Sequence, residues 1–380
     1  MHMWPTTGPE VSTKDEAAPL GEVPETELAA RAHFMEAFRD KSKRRLLYLI
    51  QKGLYWSGLA AAYTAAMHVS GATIQMYHSV PWPGAEPWVD PRYCVLPHQF
   101  DSQMRFLRCH RNVISYSKLI ETLEREENPA AGTVVITFDD GYLDTLRVAA
   151  PLLARYGLPA ILFVSTGFIE RGEAQWGDQL FSMFINHTRP RLEVPSLGIP
   201  GSDLRNPAAK AVAYDTLSCW LISATPDERR QMLAHLGQQL RPARKPPRLT
   251  MTWPEVRELV RRYPNIELGV HGAEHLDMSS HDIPAVRAEL ERCVEDFQRE
   301  VGWRAEHFAY PYNRVTARSR ELVRQCGFRS AVASGTRPLI SCASDRFALP
   351  RIEACRSMGL VRFRTSGAYP GLSMFLMRRA

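Results

Sequence analysis

The apolar run Thr133–Phe138 (TVVITF) constrains the fold of this chain more than any other segment. β-Branched and aromatic residues follow one another there without polar alternation, which is typical of a strand buried on both faces. Strands of this kind occur in parallel sheets that are covered by helices. Similar short runs, separated by segments of helical periodicity, lie at Ala72–His78, Ala160–Val164, Ile266–Val270, His307–Tyr310 and residues 329–333 and 346–349. This alternation predicts an α/β fold whose functional residues follow the carboxyl ends of the strands.

The composition excludes several classes of protein. The chain has 380 residues, a net charge of +6 and an ordinary balance of 45% hydrophobic and 23% charged residues. No basic stripe with interleaved aromatic residues and no nucleic-acid motif is present, so we expect no nucleic-acid partner. The seven cysteines contain no Cys-x-x-Cys pair, which favours reduced thiols over a disulfide framework or a zinc knuckle.

The amino-terminal 70 residues differ from the rest of the chain. Residues 1–30 are acidic and proline-rich, so we predict a disordered acidic tail and no secretory signal, and hence a cytoplasmic protein. Residues 31–70 are predicted to form a basic helical lead-in. Its 39–52 segment begins with five cations, at Arg39, Lys41, Lys43, Arg44 and Arg45. The following stretch is too polar for a membrane span, so a helix packed on the domain is favoured, with peripheral contact to the inner face of a membrane as the alternative.

Residues 71–380 are interpreted as one catalytic domain with an insertion. From about 170 to 250 the pattern turns helical and less regular, and it ends in the proline- and arginine-rich segment Arg241–Arg248. Thr252 and Glu255 then have the spacing of a capping box that opens a helix over 253–262. Trp176 and Asp178 are interpreted as packing residues of the insertion, with a place in the wall of a sugar cleft as the alternative.

Two groups of polar residues carry the chemistry. Asp139 and Asp140 come directly after the Thr133–Phe138 strand, where two adjacent carboxylates are costly unless a positive group lies beside them. His271 and His275 follow the strand Ile266–Val270 and can chelate one ion. One aspartate and two histidines leave open positions on a catalytic metal, and the other aspartate remains free as a general base.

At these residues the chain resembles the NodB-type polysaccharide deacetylases, the family-four carbohydrate esterases. Thr137 to Tyr142 (TFDDGY) resembles their first motif, His271 to His275 their second, and Phe308 to Tyr312 (FAYPY) falls where the third is expected. Met76 to Val80 (MYHSV) resembles the opening strand of the branch related to poly-N-acetylglucosamine deacetylases. The resemblance implies a distorted (β/α) barrel of the NodB type with a helical insertion. It covers about residues 70–355, without much of the insertion.

The resemblance also implies roles for individual residues. Asp139 is the base that deprotonates the attacking water, while Asp140, His271 and His275 hold a divalent metal, with Zn²⁺ as the default and Co²⁺, Ni²⁺ or Fe²⁺ as alternatives. The backbone N–H of Tyr312 stabilises the oxyanion.

The chain departs from the family pattern at two positions. Ala309 stands where many members have an arginine that orients the catalytic aspartate, and Leu349-Pro350-Arg351 replaces a late Leu-x-His whose histidine protonates the leaving amine. We predict that Arg351 orients Asp139, with a surface salt bridge as the alternative. In the branch that has Tyr-His at this point, a permuted arrangement supplies the histidine from the early strand, and a closed barrel would place the first and last strands near each other. The resemblance to that branch therefore implies that His78 is the general acid; the alternative is a core histidine bonded to backbone.

The predicted reaction is hydrolysis of an N-acetyl or other short N-acyl group on an amino sugar. A cytoplasmic enzyme would meet a lipid-linked saccharide at the inner membrane face or a soluble oligosaccharide precursor. Two alternatives remain open: a hydrolase of a non-sugar amide or formyl group, and an inactive glycan-binding relative.

Overall fold

A computed structural model of the chain describes residues 70–335 and 339–368, together with ten positions between 49 and 62. Its strands are β1 (Ala72–Tyr77), β2 (Asn112–Val113), β3 (Thr133–Phe138), β4 (Ala160–Val164), β5 (Arg191–Val194), β6 (Ile199–Asp203), β7 (Ile266–Val270), β8 (His307–Ala309), β9 (Ser330–Ser334) and β10 (Leu349–Glu353). Its α-helices are α1 (Pro97–His110), α2 (Tyr116–Glu124), α3 (Ala150–Tyr156), α4 (Thr166–Arg171), α5 (Trp176–Asn186), α6 (Pro207–Ser223), α7 (Pro226–Leu240), α8 (Trp253–Arg262), α9 (Ile283–Val301), α10 (Ala317–Gln325) and α11 (Met358–Arg364).

Seven parallel strands close into a barrel. Their order around the ring is β1, β10, β9, β8, β7, β4 and β3, and the ring closes because β1 pairs with both β10 and β3. Ile74 of β1 lies opposite Arg351 on one side and Val135 on the other. The short β2 runs beside the first residues of β3. The (β/α) barrel predicted from the sequence is therefore confirmed.

The apolar strands form the interior of the barrel. Every residue of β1, β3 and β4 is buried, as their largely apolar sequences predict, and β1 buries the polar Thr73 and Gln75 as well. Tyr116 of α2 covers the amino-terminal end of the barrel, where its hydroxyl contacts Ser330, the first residue of β9. The helices pack their apolar faces around the outside of the strands and complete a larger core. The carboxyl ends of the strands are left for the functional residues.

The insertion, predicted at about 170–250, has a hydrophobic core of its own, to which Phe168 and Tyr312 from outside those limits also contribute. That core includes Trp176 and Leu180 of α5, Leu217 of α6 and Leu236 of α7. The insertion is not wholly helical, because β5 and β6 pair as an antiparallel hairpin. Residues of β5 alternate between exposed and buried, and this period of two identifies a strand that a helical interpretation of the region overlooks.

The ends of two elements show where local sequence signals succeed and fail. The capping box predicted for Thr252 and Glu255 is present at the start of α8. The last strand was expected at residues 346–349, but β10 spans Leu349–Glu353. A proline at position 350 and a buried charge at Arg351 are unusual in a strand interior, which explains the misplaced limit. The shift places Arg351 inside the barrel.

The predicted acidic tail (1–30) lies outside the described residues, as do most of the lead-in (31–70) and of its basic 39–52 segment. Within the part of the chain that the structure describes, no helix is long and apolar enough to cross a membrane.

Candidate active site

The first part of the site is a pair of carboxylates at the carboxyl end of β3. Asp139 and Asp140 are 1% and 7% exposed, so both are largely removed from water. The chain turns sharply after them, because Gly141 has a φ of +83° and a side chain there would come within 2.9 Å of Ile169. This turn leaves both carboxylates in the wall of a cleft.

Asp139 is held by a buried arginine. The guanidinium of Arg351 donates from Nη1 to Oδ1 and from Nη2 to Oδ2 of Asp139, each over 2.7 Å. Burial alone would raise the pKa of Asp139, but the charge and hydrogen bonds of Arg351 outweigh it, so the pKa lies below its usual value. Asp139 is therefore ionised at neutral pH. The contact predicted between these two residues is present, and the alternative of a surface salt bridge does not apply to a side chain that is 0% exposed.

The second part of the site is a pair of histidines beyond β7. Nδ1–H of His271 donates to the carbonyl oxygen of Ala309 over 2.8 Å, which leaves the Nε2 lone pair free. That Nε2 lies 3.1 Å from Nε2 of His275 and 3.7 Å from Oδ1 of Asp140. Nε2 of His275 is 3.4 Å from the same Oδ1. One possible ligand atom from each of the three side chains thus lies within 4.8 Å of the other two.

These three side chains fit a divalent metal ion. Oδ1 of Asp140 is buried without a hydrogen-bond partner among the described residues. Burial, together with the charge of Asp139, raises the pKa of Asp140 well above its usual value, so a neighbouring cation is needed to keep it ionised. Burial lowers the pKa of His271 and His275, which favours the neutral rings that bind metals. Three converging electron-rich atoms with no cation between them would repel one another.

Tyr312 lies against the second histidine. Its hydroxyl donates to the carbonyl oxygen of His275 over 3.1 Å, and the two rings are perpendicular with centroids 4.5 Å apart. Nε1 of Trp176 in turn donates to the hydroxyl of Tyr312 over 2.8 Å. The structure thus places Tyr312 at the site, and its side chain has contacts that the sequence did not indicate. The oxyanion role of its backbone N–H stays a prediction.

His78 directly follows β1 and lines the same cleft. β1 lies between β3 and β10, so His78 is next to the strands that carry Asp139 and Arg351. Burial lowers the pKa of His78, while the charges of Asp139 and Glu353 act in the opposite direction. The structure brings His78 into the site, and its role as general acid stays a prediction.

Four non-glycine residues of the site have backbone conformations that L-amino acids rarely adopt. The φ angles are +71° at Asp140, +53° at His275, +57° at Tyr312 and +55° at Asn313. Such conformations cost about 1–3 kcal/mol each and persist only where the surrounding structure enforces them. Their concentration at one place is typical of a functional site.

The cleft above the carboxylates has a volume of about 360 Å³ and is bordered by the insertion. Trp176 and Asp178 both line it, so the sequence interpretation that treated them mainly as packing residues is incomplete. The hydroxyl of Tyr142 donates to Asp178 over 2.8 Å, and burial raises the pKa of Asp178 to about 8. A larger cleft of about 840 Å³ beside α7 includes none of the predicted catalytic or metal-binding residues of the described chain.

Sequence reasoning missed two buried charged residues that contact the loop between the histidines. Oε1 of Glu289 accepts the backbone N–H groups of Ala273 and Glu274, each over 2.8 Å. Arg229 donates to the carbonyl oxygens of Glu274 and His275 over 2.8 and 3.1 Å. The available signal was a charge on the apolar face of a helix, since each lies at helical spacing among buried hydrophobic residues of α9 or α7.

A family model for polysaccharide deacetylases matches residues 126–331, which is more than half of the chain. The chain therefore belongs to the polysaccharide deacetylase family, and the NodB-type resemblance of its motifs is confirmed. It is a hydrolase that acts on amide bonds, with deacetylation of a polysaccharide as its class of activity. The match contains Asp139, Asp140, both histidines and Tyr312, whereas His78 and Arg351 lie outside it. No curated protein matches the chain at a significant level.

Solved structures show the same fold at low sequence identity. The deacetylase PplD of Streptococcus pyogenes, solved in complex with acetate, is 17% identical with a TM-score of 0.51, and the match covers 76% of this chain and 94% of PplD. IcaB from Ammonifex degensii is 18% identical with a TM-score of 0.50, over 78% of this chain and 97% of IcaB. BC0361, a polysaccharide deacetylase from Bacillus cereus, is 13% identical with a TM-score of 0.50, and the match covers 78% of this chain and 69% of BC0361.

Proposed function

We propose that the protein hydrolyses N-acetyl, or other short N-acyl, groups of an amino sugar within a saccharide, and that it needs a divalent metal for this reaction. The observation that carries the proposal is the convergence of Asp140, His271 and His275 within 4.8 Å, beside the ionised Asp139. A carboxylate and two imidazoles are suitable ligands for Zn²⁺, with Co²⁺, Ni²⁺ and Fe²⁺ as further candidates. When bound, such a cation supplies a Lewis acid that polarises a carbonyl group and lowers the pKa of water.

The remaining residues divide the proton transfers between them. Asp139 accepts a proton from the water that attacks the amide carbonyl carbon. His78 donates a proton to the nitrogen as the carbon–nitrogen bond breaks, so the products are a carboxylic acid and a free amine. The backbone N–H of Tyr312 donates to the oxyanion that forms on the carbonyl oxygen. Because Arg351 lowers the pKa of Asp139, this base is ionised at neutral pH but weak, and it would act on water whose own pKa is lowered.

The walls of the cleft support a sugar as substrate. Tyr93 and Trp176 contribute aromatic side chains, whose faces suit pyranose rings, and Asp90 and Asp178 contribute carboxyl groups. A small amide would leave most of this space empty. The competing hydrolase activity, on a non-sugar amide or formyl group, is distinguished by a substrate screen that compares acetylated and formylated sugars with simple amides.

The decisive experiment measures acetate release from N-acetylglucosamine oligomers. The protein is stripped with a chelator and reloaded with zinc or cobalt, and Asp139→Asn is compared with Asp227→Asn, a matched change on the exposed surface of the insertion. We expect metal to restore release in the wild type and in Asp227→Asn, and Asp139→Asn to lose about 10²- to 10⁴-fold while it still binds metal. Bound metal without acetate release would indicate another amide substrate, and absence of metal binding would favour an inactive glycan-binding relative.

We also propose that the protein acts in the cytoplasm at the inner face of the membrane, on a lipid-linked saccharide. The support is the cluster of five cations that begins the basic 39–52 segment, which would attract anionic lipid headgroups. Binding to anionic vesicles at low salt, compared with neutral vesicles, measures this directly. We expect glutamine substitutions at Arg39, Lys41 and Lys43 to abolish the difference, and a protein that ignores anionic vesicles would contradict docking.

A further inference from the structure

Arg229 is a buried cation of the insertion that has no acidic partner among the described residues. It lies in α7, is 3% exposed and makes no ion pair with any residue that the structure describes. Its guanidinium donates instead to four backbone carbonyl oxygens. Two belong to the end of α6, where Nε donates to Leu221 over 2.7 Å and Nη2 to Ile222 over 3.2 Å. The other two belong to the loop between the histidines, where Nη1 reaches Glu274 and His275.

The contact with His275 lies where the loop has a strained backbone conformation. His275 has a φ of +53°, in the left-handed region, and Nε2 of its ring must meet Oδ1 of Asp140 at 3.4 Å. Its carbonyl oxygen accepts hydrogen bonds from both Arg229 and Tyr312. These two donors fix the peptide group that follows the ligand, and the orientation of that group is coupled to the backbone angles of His275.

A buried carboxylate holds the same loop from the other side. Glu289 of α9 accepts the N–H groups of Ala273 and Glu274, while Arg229 takes the next carbonyl groups along the chain. The loop is therefore held between a negative side chain from the barrel layer and a positive side chain from the insertion. Within the described residues, Arg229 ties the insertion to the backbone of the proposed ligand His275, and Gln175 makes a longer contact, 3.5 Å, with the carbonyl oxygen of Asp140.

We infer that Arg229 is a positioning residue that sets His275 in its metal-binding orientation, so that the insertion forms part of the metal site. The inference rests on the proposed function, because it takes Asp140, His271 and His275 as the metal ligands. Groups that orient a ligand without touching the metal typically contribute about 10- to 100-fold to metal affinity. A residue that only braced α6 against α7 would affect the stability of the metal-free protein and leave metal affinity unchanged.

The test compares Arg229→Met with Arg230→Met in metal-free full-length protein. Arg230 is the next residue of α7, but its side chain is 55% exposed. It pairs with Asp227 on the surface and approaches the side chain of Glu274 only at 3.9 Å, without a contact to the backbone of the loop. Zinc affinity is measured by competition with a chelator, the visible spectrum of the cobalt-loaded protein reports ligand geometry, and thermal unfolding without metal reports the fold. We expect Arg229→Met to bind zinc about 10- to 100-fold more weakly and to change the cobalt spectrum. Arg230→Met should match the wild type in both.

Wild-type zinc affinity and an unchanged cobalt spectrum in Arg229→Met would overturn the inference, even if the variant unfolded at a lower temperature. If Arg229→Met does not fold, Arg229→Lys decides the question. Lysine keeps the buried positive charge, but its single ammonium group cannot donate to all four carbonyl oxygens that the guanidinium contacts. If Arg229→Lys binds zinc at least about fivefold more weakly than the wild type, the inference is supported, because groups that orient metal ligands have effects of this size. Wild-type zinc affinity in Arg229→Lys contradicts the inference. Absence of metal binding by the wild type would instead contradict the proposed function itself, and the inference with it.

Discussion

Arg351 and Asp139 form an ion pair inside the barrel, where charges are expensive to place. Removing two charges from water costs several kcal/mol per ion, and good geometry only partly compensates. A pair of apolar side chains would fill the same space at lower cost. The position of the pair, in the wall of the cleft and beside the proposed metal ligands, indicates that it is kept for catalysis and not for stability.

The first prediction concerns this pair. Arg351→Met leaves Asp139 buried without its cation, so the free energy of unfolding should fall by about 3–5 kcal/mol at neutral pH, and activity should fall with it. The double variant Arg351→Met/Asp139→Asn should recover much of the lost stability, since no uncompensated charge remains. Urea unfolding of the metal-free protein measures both. Arg346→Met, which breaks an exposed pair with Glu124, is the matched control and should cost at most about 1 kcal/mol.

The second prediction concerns His78. If it protonates the leaving amine, His78→Ala should lower the turnover number by about 10²-fold or more while the zinc content stays at the wild-type value. Acetate release and metal analysis on the same preparations measure the two quantities. His110→Ala, which removes an exposed histidine at the end of α1, should have no effect on either. A wild-type rate in His78→Ala would show that it is a core histidine without a catalytic role.

At the scale of elements, the start of α8 shows how one side chain supports a helix. Glu255 accepts the backbone N–H of Thr252 over 2.8 Å, which completes the capping box. It also receives two hydrogen bonds from Arg248 at the end of the insertion. Burial would raise the pKa of Glu255, but the hydrogen bonds from Arg248 and Thr252 outweigh it and lower the pKa to about 2.

The third prediction follows from that pKa. Glu255→Ala should reduce the free energy of unfolding by about 1–2 kcal/mol at pH 7. Because the folded pKa of Glu255 lies below its unfolded value of about 4.3, the stabilisation is complete above that pH and is lost as the pH falls toward 2. The gap between wild type and variant in chemical denaturation should therefore close between about pH 5 and pH 2. Glu258→Ala, on the exposed face of the same helix, should change stability by at most about 0.5 kcal/mol. A gap that does not vary with pH would contradict this account of Glu255.

At the scale of the whole molecule, the cleft is built jointly by the barrel and the insertion. The hydroxyl of Tyr214 in α6 donates over 3.2 Å to Asp90, which lies in the loop after β1 and also binds Arg92. Beyond this bridge the cleft joins a second one of about 360 Å³ on the surface of the insertion. The two clefts share Asp90, Arg92, Tyr214 and Asp215, so a saccharide longer than one sugar would pass over the bridge.

The fourth prediction uses chain length to test the bridge. Tyr214→Ala should raise KM for an N-acetylglucosamine tetramer by about fivefold, the effect of one polar contact of about 1 kcal/mol, and change kcat/KM for the monomer by less than about twofold. Tyr214→Phe separates the hydroxyl from the ring. Val212→Ala, an exposed position on the same helix, serves as the control. An equal loss on monomer and tetramer would place the effect at the reacting sugar and not beyond it.

The sequence by itself determined most strands of the barrel and the group of residues that forms the candidate metal site. Unbroken apolar runs such as Thr133–Phe138 can be buried only between two layers, and parallel strands bring their carboxyl ends to one edge. Residues that follow those ends therefore meet, which is why Asp140, His271 and His275 could be placed together from spacing and motif alone. The capping box at Thr252 could also be predicted from the sequence, because its two partners lie within one helical turn.

Only the tertiary structure decided which distant residues complete the site. The sequence left Arg351 with two possible roles, a contact with Asp139 and a surface salt bridge. The structure decides for the contact, across 212 positions of sequence, because β1 closes the ring between β3 and β10 and brings their side chains together. Arg229 and Glu289 meet the histidine loop because two helices of different layers pack on either side of it. Periodicity and residue chemistry are local properties of the sequence. The partner of a buried charge depends instead on the closure of the barrel and on the packing of the insertion against the barrel.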